Sequence, residues 1–169
     1  NPRSAVPGRV LVEKFFEISV YDGITREKAF TTYASLPITT TYQQGVIRKF
    51  AVEPEYPGYG FETPYIFTMT ASNFIPAGGA IVITKNPLVE FVERRISIFN
   101  GVEVEVMHYS KKVILAVPGD ITSFSKIHII LGNFKNPNKY GEYSGFSVQS
   151  FDALGFAIDQ SDDARIIVN

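Results

Sequence analysis

Apolar and polar residues alternate with a period of two along most of the chain, as they do in half-buried β-strands. Around Phe67, for example, Tyr65, Phe67, Met69 and Ala71 alternate with Ile66, Thr68 and Thr70. In the run that begins at Val46, the same rule places Val46, Arg48, Phe50 and Val52 on one face. Further strands are predicted at Phe16–Tyr21, Ile96–Phe99, Val102–Val106, Val113–Val117, Lys126–Leu131, Phe146–Phe151 and Ala164–Val168.

Turn-forming residues separate these strands at short intervals. Asn100-Gly101 lies between two strands, and this pair favours the positive φ angles of a type I′ hairpin turn. Other breaks carry Pro and Gly, at Pro54–Gly60, Pro76–Gly79, Pro118-Gly119 and Asn136-Pro137. The spacing predicts an all-β protein, an antiparallel β-sandwich of the immunoglobulin-like or jelly-roll-like kind.

Two short segments depart from simple alternation. Ala80–Ile83 is apolar throughout, which predicts a strand buried on both faces. Leu88–Arg95 is ambiguous, because Leu88, Phe91 and Val92 also fit a single helical turn.

The composition of the chain excludes several classes of binding partner and of chemistry. The formal net charge is −1 and no basic run exceeds two residues, so neither nucleic acid nor an anionic membrane surface is an expected partner. The chain has no Cys, which excludes disulfides and thiolate chemistry. No membrane span or leader is recognisable, and the absence of an initiator Met fits a piece of a longer protein.

No constellation of catalytic residues stands out. The only histidines are His108 and His128, and each is interpreted as a strand residue. No Gly-x-Ser-x-Gly elbow or phosphate-binding glycine loop is present. We therefore expect no enzymatic activity and no cofactor.

Acidic residues cluster near the carboxyl end. Asp159, Asp162 and Asp163 are expected in a loop, where carboxylate oxygens are suitable ligands for calcium. The spacing does not match an EF-hand and Arg165 is close, so a solvated turn is the simpler interpretation and calcium a weak candidate.

Aromatic residues cluster in the Pro- and Gly-rich loop after Pro54. Tyr56, Tyr59, Phe61 and Tyr65 are candidates for contacts with a sugar ring or a neighbouring module. The alternative is that they cap the end of the core.

Two parts of the chain resemble each other. Asn1-Pro2 followed by Phe16–Asp22 is similar to Asn136-Pro137 followed by Phe146–Asp152. Two strands of one sheet also look alike, but tandem repetition explains the Asn-Pro as well. Residues 1–35 are then predicted to close a preceding repeat or to form a docking segment, and residues 36–169 to form the repeat domain.

The segment Tyr65–Thr84, with Asn73-Phe74-Ile75-Pro76-Ala77-Gly78-Gly79 at its centre, resembles a unit of very large repeat proteins of ciliated protists. Leu131–Pro137 and Phe156–Asp159 are similar to the closing section of that unit. The resemblance runs from about Tyr42 to Asp159, and it departs at Thr84–Pro87, where the family has an aromatic residue before Pro. It implies extracellular or cell-surface filament material without catalytic residues.

These observations predict a structural module of an extracellular filament, surface coat (glycocalyx) or adhesive protein. Its expected partners are neighbouring copies of the same module, through strand and end-to-end contacts within residues 1–22 and 145–168. Two alternatives stay open: a carbohydrate-binding module that uses the aromatic loop, and a viral or phage coat or fibre domain.

Overall fold

The structure, a computed structural model, describes residues 14–21, 28–36, 44–92 and 97–169. Contacts divide the chain into two units, Ala5–Gln43 and a larger one that includes Gln44–Asn169. The first contains an antiparallel hairpin of β1 (Lys14–Tyr21) and β2 (Lys28–Leu36). The predicted division between residues 35 and 36 precedes this boundary, and the origin of residues 1–35 in a preceding repeat stays a prediction.

The larger unit is built from short strands. In chain order its described strands are β3 (Gly45–Val46), β4 (Arg48–Pro54), β5 (Glu62–Thr70), β6 (Ala80–Thr84), β7 (Glu90–Phe91), β8 (Ser97–Phe99), β9 (Val102–Val104), β10 (Val106–His108), β11 (Lys112–Ala116), β12 (Lys126–Lys135), β13 (Gly141–Phe151), β14 (Ala157–Gln160) and β15 (Ala164–Val168).

These strands form two sheets. The first has the order β10-β11-β6-β13-β14-β3, with β15 also paired to β13. The second has the order β4-β5-β12-β8-β9, with β7 also paired to β12. Every pair is antiparallel except β14 with β3. The predicted all-β sandwich is confirmed, and the described residues include no helix that could cross a lipid bilayer.

The core lies between the inner faces of the two sheets. On β5, Tyr65, Phe67 and Met69 are buried, and on β12 so are Ile127 and Ile129. The facing sheet contributes further buried side chains, namely Ile81, Ile83, Val113, Leu115, Phe146 and Val148. The ring of Tyr65 stacks on that of Phe146 across the interface, with 6.2 Å between centroids. Burial of these alternating side chains is the main stabilising contribution in a Cys-free domain.

One local prediction is confirmed and two are wrong. Asn100 (φ 47°) and Gly101 (φ 84°) form the predicted type I′ turn between β8 and β9. The helical alternative for the Leu88 segment is wrong over its described residues, where β7 begins at Glu90. Val82 is only half-buried, so β6 is not covered on both faces as predicted.

The predicted phase of the run that begins at Val46 is also wrong. Val46 is 53% exposed, whereas Val52, which is predicted on the same face, is 3% exposed, as is Ile47 of the other predicted face. The chain leaves the first sheet after β3 and enters the second at β4, and Lys49 adopts a positive φ of 51°. The accompanying register shift between Arg48 and Ala51 moves every side chain before it to the opposite face.

The loops of the sandwich gather at its two ends. Glu62 of β5 pairs with Lys135 of β12, and Thr84 of β6 pairs with Lys112 of β11. The loops that follow β4, β6, β10 and β12 therefore share one end, which we call the aromatic end. The loops that follow β5, β11 and β13 share the other, which we call the opposite end.

Candidate functional site

The aromatic end displays three of the four aromatic residues singled out in the sequence. Tyr56, Tyr59 and Phe61 are each 60 to 61% exposed in the loop between β4 and β5. Tyr140, in the loop between β12 and β13, is exposed close by, since the N–H of Gly60 donates to Pro137 O at 3.0 Å. Exposed aromatic rings that cluster on a surface are typical of binding sites.

Tyr65 is separated from the other three. It is 1% exposed, it belongs to the core, and its hydroxyl donates to Asn136 Oδ1 at 2.6 Å. Burial raises the pKa of the phenol, so the group stays protonated and remains a donor. Tyr65 is therefore unavailable to a ligand on the surface.

Asn136 fixes the loop that carries the exposed rings. Its buried amide group donates to Tyr56 O at 2.9 Å and to Gly58 O at 2.7 Å. Its backbone N–H donates to Phe61 O at 2.8 Å, and Tyr59 N–H donates to Asn169 O at 3.1 Å. The loop backbone is thus bound to Asn136 and to Asn169, and it is held in place before any partner arrives.

A pocket of about 480 Å³, which we call the Lys85 pocket, opens at the same end; it is lined by the β6–β7 and β10–β11 connections and by adjoining residues of β7 and β10. Apolar and aromatic walls come from Pro87, Val89, Phe91 and Tyr109. The rings of Phe91 and His108 stack, with 3.6 Å between centroids.

Lys85 and Glu90 give this pocket its charge. Lys85 is only 7% exposed, and its Nζ donates to the carbonyl of Val89. Burial lowers the pKa of the Lys85 ammonium, and the attraction of the Glu90 carboxylate opposes that shift. Glu90 itself is exposed at the rim.

A groove of about 550 Å³ runs along the side of the sandwich between β4 and β15. It is lined by Phe50–Pro54 and Asp163–Ile167, and it reaches Pro57 of the aromatic loop. The Arg165–Glu142 ion pair near it is exposed at both partners and contributes little to stability.

The opposite end carries a second set of exposed apolar side chains. Phe124 is 66% exposed, and Leu154 and Phe156 are exposed on the loop between β13 and β14. Phe124 adopts φ 64°, which is rare for a bulky residue. The guanidinium of Arg48 lies over its ring, 5.9 Å from the centroid.

Asp159 was expected in a loop and lies instead in β14, fully buried. Its Oδ2 accepts hydrogen bonds from the backbone N–H groups of Ser72 and Asn73, each at 3.0 Å, and its Oδ1 accepts from Asn73 Nδ2 at 2.6 Å. The carboxylate therefore fastens the start of the Asn-x-Ile-Pro-x-Gly-Gly element to the first sheet. Charge-assisted bonds of this kind are among the stronger ones in proteins.

The other two aspartates are placed differently. Asp162 is exposed, and Asp163 Oδ1 accepts from Gly145 N–H at 2.8 Å. Among the residues that the structure describes, no three His, Asp or Glu side chains group in a way that would hold a metal ion. The structure thus does not bring Asp159, Asp162 and Asp163 together, and a calcium site stays a prediction.

The sequence interpretation missed Asn136, Phe124 and the Lys85 pocket. The signal for Asn136 is the recurrence of Asn-Pro at residues 1–2 and 136–137, which the sequence analysis interprets only as a sign of repetition. Phe124 lies in Thr122-Ser123-Phe124-Ser125, a polar turn in which a lone Phe is out of place. Nothing local predicts that Lys85, which directly follows β6, turns inward.

The two sheets and their connections define the chain as an antiparallel β-sandwich. It is similar in fold to the bacterial hydrophobin BslA, with a TM-score of 0.52, 15% identity, and coverage of 76% of this chain and 97% of that one. BcpA, the major pilin subunit of Bacillus cereus, has a TM-score of 0.41 and 11% identity, with coverage of 75% of this chain and 39% of that one. A non-cellulosomal cohesin from the hyperthermophilic archaeon Archaeoglobus fulgidus has a TM-score of 0.45 and 11% identity, with coverage of 75% of this chain and 92% of that one. No protein-family model and no curated protein matches the chain.

Proposed function

We propose that this chain is a structural module of an extracellular filament, surface coat or adhesive protein, and that copies of the module contact one another end to end. The observation that carries the proposal is the position of the exposed apolar side chains. Among the residues whose side chains the structure describes, most of them lie in the end loops of the sandwich, at Tyr56, Tyr59, Phe61, Leu88, Tyr109 and Tyr140 on the aromatic end and at Phe124, Leu154 and Phe156 on the opposite end.

Apolar side chains concentrated at two ends of a rigid body favour stacking in a row. Each end loses apolar surface to water when it meets the end of another copy, and the hydrophobic effect drives that contact. The loops are also fixed by backbone bonds, such as Ile75 N–H to Ile121 O at 2.9 Å at the opposite end. Little conformational entropy is therefore lost on association.

The resemblance to repeat units of ciliated protists belongs to this proposal. The Asn-x-Ile-Pro-x-Gly-Gly element has a structural task in it: Asn73 bonds Asp159, and the buried Ile75 forms a bridge with Ile121. The fold shared with a bacterial hydrophobin is compatible with a structural role, although at 15% identity that likeness supports the fold alone. On this proposal the module works without a catalytic step.

Sedimentation velocity of the chain from micromolar to millimolar concentration tests the proposal. We expect species larger than a dimer to grow with concentration, because the sandwich of each copy carries exposed apolar side chains at two ends. A sedimentation coefficient that stays at the monomer value across the whole range would contradict end-to-end assembly. Triple replacement of Tyr56, Tyr59 and Tyr140 by Ser should reduce the association, whereas Val102→Ser on the β9 edge should not.

A carbohydrate-binding module is the second candidate. It is favoured by the exposed rings of Tyr56, Tyr59 and Phe61 beside the groove that reaches Pro57. Aromatic rings stack on the apolar faces of sugars, and a groove accommodates an extended chain. A glycan array read with the wild type and with Tyr59→Ala tests this: a bound glycan that is lost in the variant supports the candidate, and an array without any bound glycan eliminates it.

A further inference from the structure

The geometry points to one particular contact within the proposed end-to-end assembly: Phe124 of one copy enters the Lys85 pocket of the next copy. This inference rests on the proposed function and names its partner, a second copy of this chain, and the two surfaces that meet.

Phe124 is presented as a rigid, exposed anchor. Its N–H donates to Ala71 O at 2.8 Å, Ala71 N–H donates to Ser125 O at 3.1 Å, and the hydroxyls of Thr122 and Ser125 bond each other at 2.6 Å. These bonds hold Phe124 at a positive φ that a phenylalanine rarely adopts. A strained backbone that presents an exposed ring is an indication of a functional contact.

The pocket suits an aromatic ring. Pro87 and Phe91 give apolar walls above the buried Val89, Tyr109 is exposed at the rim, and the volume is about 480 Å³. The buried Lys85 ammonium lies in the lining, where a cation attracts the face of an aromatic ring. Aromatic anchors in desolvated pockets carry most of the binding energy in protein interfaces.

The charges beside the ring and beside the pocket are complementary. Arg48 accompanies Phe124, with its guanidinium over the ring. Glu90 lines the pocket and is exposed. When the ring of one copy is seated in the pocket of another, Arg48 meets Glu90, which fixes the orientation and disfavours the reversed contact of two equal ends.

The two surfaces cannot meet within one molecule. Phe124 lies just before the first residue of β12, and the pocket lies beside the last, where Lys135 pairs with Glu90. β12 has ten residues, and at ~3.3 Å per residue its ends are about 30 Å apart. A contact between different surfaces of identical molecules is heterologous, and it grows into a filament unless the rotation closes a ring.

Sedimentation velocity of Phe124→Asn is the first test. Asn accepts a positive φ more readily than Phe, so the variant should melt at the temperature of the wild type or above it. Its self-association should weaken about tenfold or more, as expected when a central aromatic anchor is removed. Met107→Ser, which removes an exposed apolar side chain from the β10 edge, is the matched control and should associate like the wild type.

Charge reversal tests the direction of the contact. Arg48→Glu and Glu90→Arg should each weaken association, and the double variant should recover most of it, because every contact then pairs Glu with Arg in the reversed sense. Glu103→Arg, at an exposed position on β9, is the control. A mixture of Phe124→Asn with Glu90→Arg should stop at heterodimers, since the first retains its pocket and the second its ring.

The outcomes separate this contact from the proposed function. If the wild type stays monomeric at every concentration, both are overturned. If the wild type assembles and Phe124→Asn assembles equally well, this contact is wrong and the proposed end-to-end function stands. Growth that ends at a dimer of the wild type indicates a closed two-fold contact and also overturns the inference.

Discussion

Replacing Asn136 by Ala should destabilise the sandwich and loosen the aromatic loop together. The side chain is 1% exposed and makes three hydrogen bonds, one from Tyr65 Oη and two to the carbonyls of Tyr56 and Gly58. Without it the buried Tyr65 hydroxyl loses this acceptor.

The magnitude follows from these bonds. A buried donor left unsatisfied costs roughly 1 to 3 kcal/mol, and each of the two loop bonds contributes about 1 kcal/mol. The free energy of unfolding should therefore fall by about 3 to 5 kcal/mol, which is a large part of the total stability of a domain of this size. Tyr65→Phe removes the hydroxyl alone and should cost about 1 to 2 kcal/mol.

Urea-induced unfolding of the two single variants and of the double variant measures this. The loss in the double variant should be smaller than the sum of the two, because the second change removes a group that the first has already left unsatisfied. Hydrogen exchange gives the local readout: the N–H groups of Tyr59 and Gly60, which donate to Asn169 and Pro137, should exchange faster in Asn136→Ala.

Two results would contradict this prediction. A loss below about 1 kcal/mol in Asn136→Ala would mean that water replaces the amide without penalty. Strict additivity of the two variants would mean that the Tyr65–Asn136 bond couples nothing. Asn138→Ala, a change at an exposed position in the same loop, is the control and should lie within about 0.5 kcal/mol of the wild type.

Three further predictions concern single positions. A Cβ at Gly45 would lie inside van der Waals contact of Asp159 Oδ1 and Asn73 Nδ2, so Gly45→Ala should lower the midpoint of urea unfolding by more than Gly119→Ala, where a Cβ meets nothing. Burial lowers the pKa of Lys85, so between that pKa and 10.5 the unfolded chain binds more protons than the folded chain. The free energy of unfolding of the wild type should therefore rise with pH in this window. The rise should be absent in Lys85→Met when both proteins are unfolded in urea at pH 7, 8.5 and 10. Gly101→Val should lower the melting temperature more than Gly155→Ala. Both glycines have a positive φ, 84° at Gly101 and 82° at Gly155, and the β-branched side chain of Val opposes such an angle more strongly than the methyl group of Ala does.

The fold was predictable because its information is local. Period-two alternation and the Asn100-Gly101 turn each depend on a few neighbouring residues, and both led to the right structure. The faces of the side chains around Ile47 were not predictable, because they depend on the positive φ of Lys49, and lysine has no preference for that conformation. The sequence shows that a strand is present there but not where it changes sheet.

The candidate site was predictable only in part. The exposure of Tyr56, Tyr59 and Phe61 follows from their Pro- and Gly-rich loop, and the phase of Phe67 and Met69 already indicated that Tyr65 points inward. Asp159 could not be placed, because its partners Ser72 and Asn73 are more than eighty residues away in the chain. The same limit applies to Phe124 and the Lys85 pocket, whose walls come from two separate connections.

The parallel pairing of β3 with β14 has a mechanical consequence. The chain enters the sandwich at Gly45 on the side of the opposite end, and the last strand, β15, ends at Val168 next to Gly141 on the aromatic end. Tension between these two points runs along the strands, so the bond from Ile47 N–H to Gln160 O and the ladders of β4 and β15 are sheared together and are not peeled one by one. Asp159 precedes Gln160 and accepts hydrogen bonds from Ser72 and Asn73, so these bonds would be among the first to resist such a load.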